Sequence, residues 1–302
     1  MKLLTKLLGA TIVGSLTGLI AVDRVVAWKV NEVTHPARVV YSNVTGINDT
    51  PIQKVSLKTS DGLTLTGWHI PSHNRATIIL QHGWHANSSS MRKAALILAK
   101  HGYGVLMFDF RGQGQSEGDI VTLGLNETKD SDAAVQFALQ LADTDKDKIG
   151  LLGNSMGAAT GILATAHNPT IQALAVEGAF AELRDEIAVG IQVQTPLPPR
   201  PLDAIFIWFA ERQTGLSLSA IAPIDHIAAI SPRPVLIMHG AADRRVFPES
   251  AHRLFDVAGD PKQLWIAPGA THIAIIDHDP AAYEAHVVTF FNQSLLEKSP
   301  VK

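Results

Sequence analysis

Six short apolar runs set the frame into which this chain can fold. They read ATIILQHG from Ala76, GVLMFDF from Gly104, KIGLLGNS from Lys148, IQALAVEGAF from Ile171, RPVLIMHG from Arg233 and QLWIAPG from Gln263. Their apolar residues are consecutive rather than alternating, so a strand made from any of them must be covered on both faces. Segments with helical patterning separate them, over about residues 90–100, 126–142 and 156–167, and a last one follows at about 280–297. Strands alternating with helices predict a parallel sheet with helices on both faces. Ahead of these runs, VSLKTSDGLTLTGWHI alternates about Asp61-Gly62, a hairpin signal because glycine adopts positive φ without strain. At Gly67 the alternation slips, which suggests a bulge. The expectation is one α/β domain over residues 51–298, with a mostly parallel sheet of about eight strands.

One segment breaks this rhythm. Residues 181–230 carry TPLPPRP and then an apolar helix, LDAIFIWFAERQTG, and are too long for a simple connection. They are expected to form a helical cap inserted into the domain. Trp208 and Phe209 in that helix either pack the cap onto the domain or line an apolar substrate pocket.

The N-terminus has its own pattern. Lys2 and Lys6 precede residues 7–22, which contain no charge, and Asp23 and Arg24 end the run. This is the layout of a signal anchor or a signal peptide over residues 1–27. An uncleaved anchor would attach the protein to a membrane with the rest of the chain extracytoplasmic. A cleaved signal would make it secreted, and a buried helix would leave it cytoplasmic. Residues 28–50, polar and without period, read as a linker. Net charge is -3 with no block of like charges, which gives no footprint for nucleic acid. The absence of cysteine excludes disulfides, thiolate metal sites and cysteine nucleophiles.

The chemistry concentrates at strand ends. In GNSMG, Ser155 lies between Gly153 and Gly157 where an apolar strand hands over to a helix. Glycines at those spacings let strand and helix approach, and the helix N-terminus directs free N–H groups at the serine. A serine needs a base to become a nucleophile. His272 follows the last strand in LWIAPGATH, and Asp243 follows the preceding one in HGAADRRV. Asp243 would orient the imidazole, with Glu177 at the end of IQALAVEG as a rival for that part. The backbone N–H groups of Met156 and Trp84 are the candidate oxyanion donors, with Gly83 giving close approach. His82 and His85 have a spacing that hints at a metal, but no third ligand lies near them in sequence, so no metal and no organic cofactor is expected.

The motifs QHGW (81–84), FDFRGQGQSEG (108–118), GNSMG (153–157), SPRPVLIMHGAADRRV (231–246) and LWIAPGATH (264–272) occur in this order. The chain thereby resembles α/β-hydrolase-fold serine hydrolases, in the branch of serine aminopeptidases, prolyl-oligopeptidase-like and acyl-transferase-like proteins. That resemblance implies an α/β-hydrolase fold and a Ser155–His272–Asp243 triad acting on a small acyl substrate. A carboxylic ester is the expected substrate, with peptidase, acyltransferase or thioesterase chemistry as alternatives. It also implies that Asp109 and Arg111 brace the turn beneath the site. A non-catalytic binding protein of the same fold is the remaining reading.

Overall fold

The structure, a computed structural model, describes residues 20–40 and 52–297. Eight strands form one sheet: β1 (Gln53–Lys58), β2 (Thr64–Ile70), β3 (Thr77–Gln81), β4 (Gly104–Phe108), β5 (Ile149–Asn154), β6 (Ala173–Glu177), β7 (Val235–Gly240) and β8 (Lys262–Ala267). They lie in the order β1-β2-β4-β3-β5-β6-β7-β8. The β1–β2 hairpin and the β2–β4 pair are antiparallel, and every later pairing is parallel. At the hairpin, Gly62 has φ +91° and its N–H donates to the Thr59 carbonyl. The bulge expected at Gly67 is absent. Val55 pairs with Gly67 and Gly67 with Phe108 in unbroken register. Glycine is required there for space, because a Cβ would lie 2.8 Å from Leu57 Cδ1 and 3.1 Å from the Met107 carbonyl.

The helices are α1 (20–34), α2 (Arg92–Lys100), α3 (Glu127–Ala138), α4 (Met156–His167), α5 (Leu183–Gln194), α6 (Pro199–Thr214), α7 (Pro223–His226), α8 (Glu249–Val257), α9 (Ile275–His278) and α10 (Pro280–Phe291). Successive strand residues feed two cores. Ile79, Leu151, Val176 and Ile237 join Ile162 of α4 and Leu254 of α8 on one face. Ile78, Leu80, Leu152 and Met238 join Leu98 of α2 and Phe290 of α10 on the other. Each such side chain contributes roughly 1.5–3 kcal/mol when fully buried, which is why the strands are apolar without alternation. Helix α3 is shorter than its apolar pattern. Its first residue, Glu127, turns back to accept from the Thr122 and Gly124 amides at 2.7 and 2.9 Å.

Between β6 and β7, α5–α7 form the cap. Arg253 of α8 ties it down by pairing with Glu182 and Asp185. Helix α6 starts with Pro199 and ends at Gly215, whose φ is +68°.

The linker expected over 28–50 is a correction in its described part. Helix α1 runs unbroken across residues 27 and 28. Val26 is buried with Phe209 and Ala210 of α6. Beyond the helix, Asn87 Nδ2 donates to the Val39 carbonyl at 2.6 Å and Arg38 Nη1 to the Ser116 carbonyl at 2.5 Å. The polar residues that read as a linker are therefore docking contacts. Residues 1–19, most of the expected signal anchor or signal peptide, and residues 41–51 lie outside the described residues. Among the described residues, no helix is long and apolar enough to cross a membrane.

Candidate active site

Ser155 joins β5 to α4 with φ +54° and ψ −119°. A non-glycine residue held there stores about 1–3 kcal/mol of strain, which its surroundings must impose. They do so through the two glycines. A Cβ on Gly153 would lie 2.3 Å from the Gly157 carbonyl, and a Cβ on Gly157 2.5 Å from the carbonyls of both Gln81 and His82. Ser155 makes no side-chain capping bond to α4. Its Oγ instead lies 2.9 Å from His272 Nε2, so the serine is presented to the histidine rather than spent on the helix.

His272 sits on the loop after β8, packed close over the end of β7. Gly240 permits this, since a Cβ there would lie 2.4 Å from the Ala270 carbonyl. On the far side of the ring, Nδ1 is 2.7 Å from Asp243 Oδ2. Asp243 Oδ1 accepts the amides of Arg245 and Val246 at 2.8 and 3.1 Å. Burial by itself would raise the Asp243 pKa. The rings of His239 and His272 and the Arg245 amide outweigh it and hold the carboxylate well below its ordinary range. The side chain thus stays ionised beside the imidazole.

Glu177, the rival acid, does not touch His272. Its Oε1 accepts the Ile275 amide at 3.1 Å. Burial pushes its pKa up to about 7 despite that amide and the nearby His239.

The loop after β3 approaches the serine closely, with a Cβ on Gly83 placed 3.3 Å from Ser155 Cβ. His82 is fully buried and braces that loop. Its Nε2 accepts from the Phe110 amide at 3.0 Å, so Nδ1 carries the proton and donates to the Gly83 carbonyl at 2.7 Å. Burial lowers its pKa, in keeping with this neutral form. Trp84 anchors its indole by donating to the Val33 carbonyl at 2.9 Å, with the Arg245 guanidinium 5.8 Å over the ring. Met156 is the first residue of α4, where a helix leaves its N–H groups without internal partners.

Asp109 and Arg111 are both held in buried polar networks. Asp109 Oδ1 accepts from the Ser88 amide and hydroxyl at 2.8 and 2.6 Å, and Oδ2 from the Gln115 amide at 2.8 Å. Arg111 bridges Asp61 and Asp130. Phe209 is used to pack the cap on α1, whereas Trp208 is more than half exposed and stands edge-on to it at 4.8 Å. No group of three His, Cys, Asp or Glu side chains is placed to hold a metal among the described residues.

Two residues near the site escape sequence reasoning. His239 is buried in β7 with Nε2 donating to the Val246 carbonyl at 2.8 Å and standing 3.2 Å from Asp243 Oδ2. The only hint is a histidine inside an otherwise apolar strand. Glu186 of α5 is within electrostatic reach of Asp243 and Arg245. Burial lifts its pKa to about 8, opposed by Arg245 and reinforced by Asp243 and Asp185. It reads in sequence as an ordinary acid of a helix first turn.

A serine on a strained strand-to-helix turn, met by a histidine and an acid from later strand ends of such a sheet, is the architecture of the α/β-hydrolase fold. Known proteins agree. A family model described as serine aminopeptidase, S33, matches residues 72–214. The chain is 30% identical over 238 residues to Rv2307c of Mycobacterium tuberculosis, covering 78% of this chain and 75% of that one. It is 28% identical over 252 residues to YfhR of Escherichia coli, covering 80% and 81%. Among solved structures, the esterase Pf2001 of Pyrococcus furiosus superposes with a TM-score of 0.74 at 25% identity, over 87% of this chain and 98% of that one. The chain belongs to the α/β-hydrolase family and is a hydrolase.

Proposed function

We propose that this hydrolase cleaves a carboxylic ester through an acyl-enzyme on Ser155. The observation that carries the reading is the continuous contact from Ser155 Oγ to His272 Nε2 at 2.9 Å and from His272 Nδ1 to Asp243 Oδ2 at 2.7 Å. Ser155 Oγ attacks the carbonyl carbon while His272 Nε2 takes its proton. The Trp84 and Met156 N–H groups receive the oxyanion, where loss of one such donor typically costs about 3–4 kcal/mol of transition-state stabilisation. The tetrahedral intermediate collapses as His272 returns the proton to the leaving alkoxide, releasing the alcohol. Water then attacks the acyl-enzyme with His272 again as base, and the acid departs as Ser155 recovers its proton. Asp243 remains ionised throughout, holding the imidazole tautomer and balancing the imidazolium. His239 and the Arg245 and Val246 amides keep that carboxylate in place.

An ester is favoured because the esterase Pf2001 matches nearly its whole length at 25% identity. A second reading, cleavage of an aminoacyl amide, is favoured by the serine aminopeptidase description of the matching family model. Fluorophosphonate labelling with a panel of p-nitrophenyl esters and aminoacyl p-nitroanilides tests both. Ser155-dependent labelling with faster turnover of esters is expected. Labelling that persists in Ser155→Ala refutes the nucleophile, and faster turnover of anilides transfers the assignment to the peptidase reading.

A further inference from the structure

The exposed large apolar side chains among the described residues are unevenly placed. Eight of thirteen lie on α1 and on the cap between Val193 and Trp208. Helix α1 lies against α6 of the cap. Asp23, near the start of α1, accepts a hydrogen bond from Gln213, near the end of α6, while Val26 and Val30 further along pack with Phe209 and Phe206. The two helices therefore run antiparallel.

In an antiparallel pair of right-handed helices, residues one position before the contact residues fall on the same side of both. On α1 these are Val22, Val25 and Lys29, preceding Asp23, Val26 and Val30. On α6 they are Ile205, Trp208 and Arg212, preceding Phe206, Phe209 and Gln213. Val22, Val25, Ile205 and Trp208 are 41%, 63%, 42% and 55% exposed, so four apolar side chains share one open flank. No carboxylate occupies these six positions.

We propose that this α1–α6 flank is a docking surface for an anionic phospholipid bilayer. Three observations favour lipid over protein. The flank combines aliphatic residues and tryptophan with cations, the composition of segments that lie in a membrane interface. Its cations accompany its aromatics: the Arg212 guanidinium is 5.6 Å over the Trp208 ring and Lys29 Nζ 5.8 Å over the adjacent Trp28 ring. Lys29 also pairs with Glu32 at 3.1 Å, while among the described residues of α1 and α6 Arg24, Arg200 and Arg212 are cations outside any ion pair with a carboxylate. The chain also enters α1 from residues 7–19, which carry no charge in the sequence. Docking at this flank is independent of the chemistry proposed for Ser155.

Co-sedimentation of the full chain with phosphatidylcholine vesicles, with and without phosphatidylglycerol, tests it. Wild type and Ser155→Ala are expected to pellet equally with anionic vesicles, less so as salt rises. Val25→Asp and Ile205→Asp should each cut the bound fraction at least fivefold while turnover of a soluble short-chain ester stays unchanged. Equal vesicle binding by wild type and both variants overturns the proposal and transfers retention to the preceding stretch. A wild-type dimer that the same substitutions dissociate, with no vesicle binding, overturns it in favour of a second copy of this chain.

Discussion

Gly157→Ala isolates what the elbow geometry is worth. The new methyl carbon would start 2.5 Å from two backbone carbonyls, those of Gln81 and His82. Neither can retreat easily. Gln81 is paired on both sides, with Phe108 of β4 and Gly153 of β5, and His82 is fixed by its bonds to Phe110 and Gly83. To reach a tolerable separation of roughly 3.2 Å, the first turn of α4 must lift by about 0.7 Å, an overpacking strain of the kind that costs about 1–3 kcal/mol. That turn carries the Met156 N–H and adjoins Ser155, whose Oγ is set 2.9 Å from His272. A misplacement approaching 1 Å at reacting groups costs about 10²-fold. The expected result is a fall in kcat/KM of about 10–100-fold, roughly 1.4–2.7 kcal/mol, with a Tm lower by several degrees. The assay is p-nitrophenyl acetate hydrolysis beside thermal unfolding. Gly190→Ala serves as the control, since nothing lies within 4 Å of a Cβ there and α5 should gain up to about 1 kcal/mol of helix propensity. A Gly157→Ala enzyme within twofold of wild-type activity, with an unchanged Tm, would refute the close-approach argument.

Two further perturbations probe the buried groups behind the triad. His239→Leu removes the donor to the Val246 carbonyl and the ring facing Asp243 Oδ2. The less engaged carboxylate should favour the imidazolium more, moving the acid limb of kcat/KM to higher pH with about a tenfold loss of rate. His239→Gln, which keeps an N–H donor, should restore both, and an unmoved acid limb in the leucine variant would reduce His239 to packing. For Glu177, the pKa rises from 4.5 unfolded to about 7 folded, so the folded state holds the proton more tightly. Its contribution to stability is complete below pH 4.5 and is lost as pH rises through 7, by up to about 3 kcal/mol. Denaturant unfolding should show Glu177→Gln gaining on wild type by that amount between pH 4 and 8, and parallel pH dependences would contradict the assigned burial.

Sequence was sufficient where the determinants are local or simply ordered along the chain. Consecutive apolar residues demand burial on both faces, which was enough for the parallel sheet with covered faces. Gly153, Ser155 and Gly157 occupy a single turn, so their steric purpose is legible without knowing what packs above them. Asp243 and His272 follow successive strands, and parallel strands bring their ends to one edge of the sheet. Other features depend on partners far along the chain. Asp243 rather than Glu177 meets His272 because of where two loops come to rest, although both acids lie at the ends of neighbouring strands. Residues 28–40 look like a linker because their carbonyls and polar side chains find partners as distant as Ser116. Gly67 resembles a bulge in sequence, yet the fold needs glycine there because Leu57 and the Met107 carbonyl occupy the space a Cβ would take. His239 comes to stand beside Asp243, and Glu186 comes to feel the Asp243 charge, only when folding removes water from around them. Local steric rules travel with the sequence, whereas burial and the charges it brings together exist only in the folded chain.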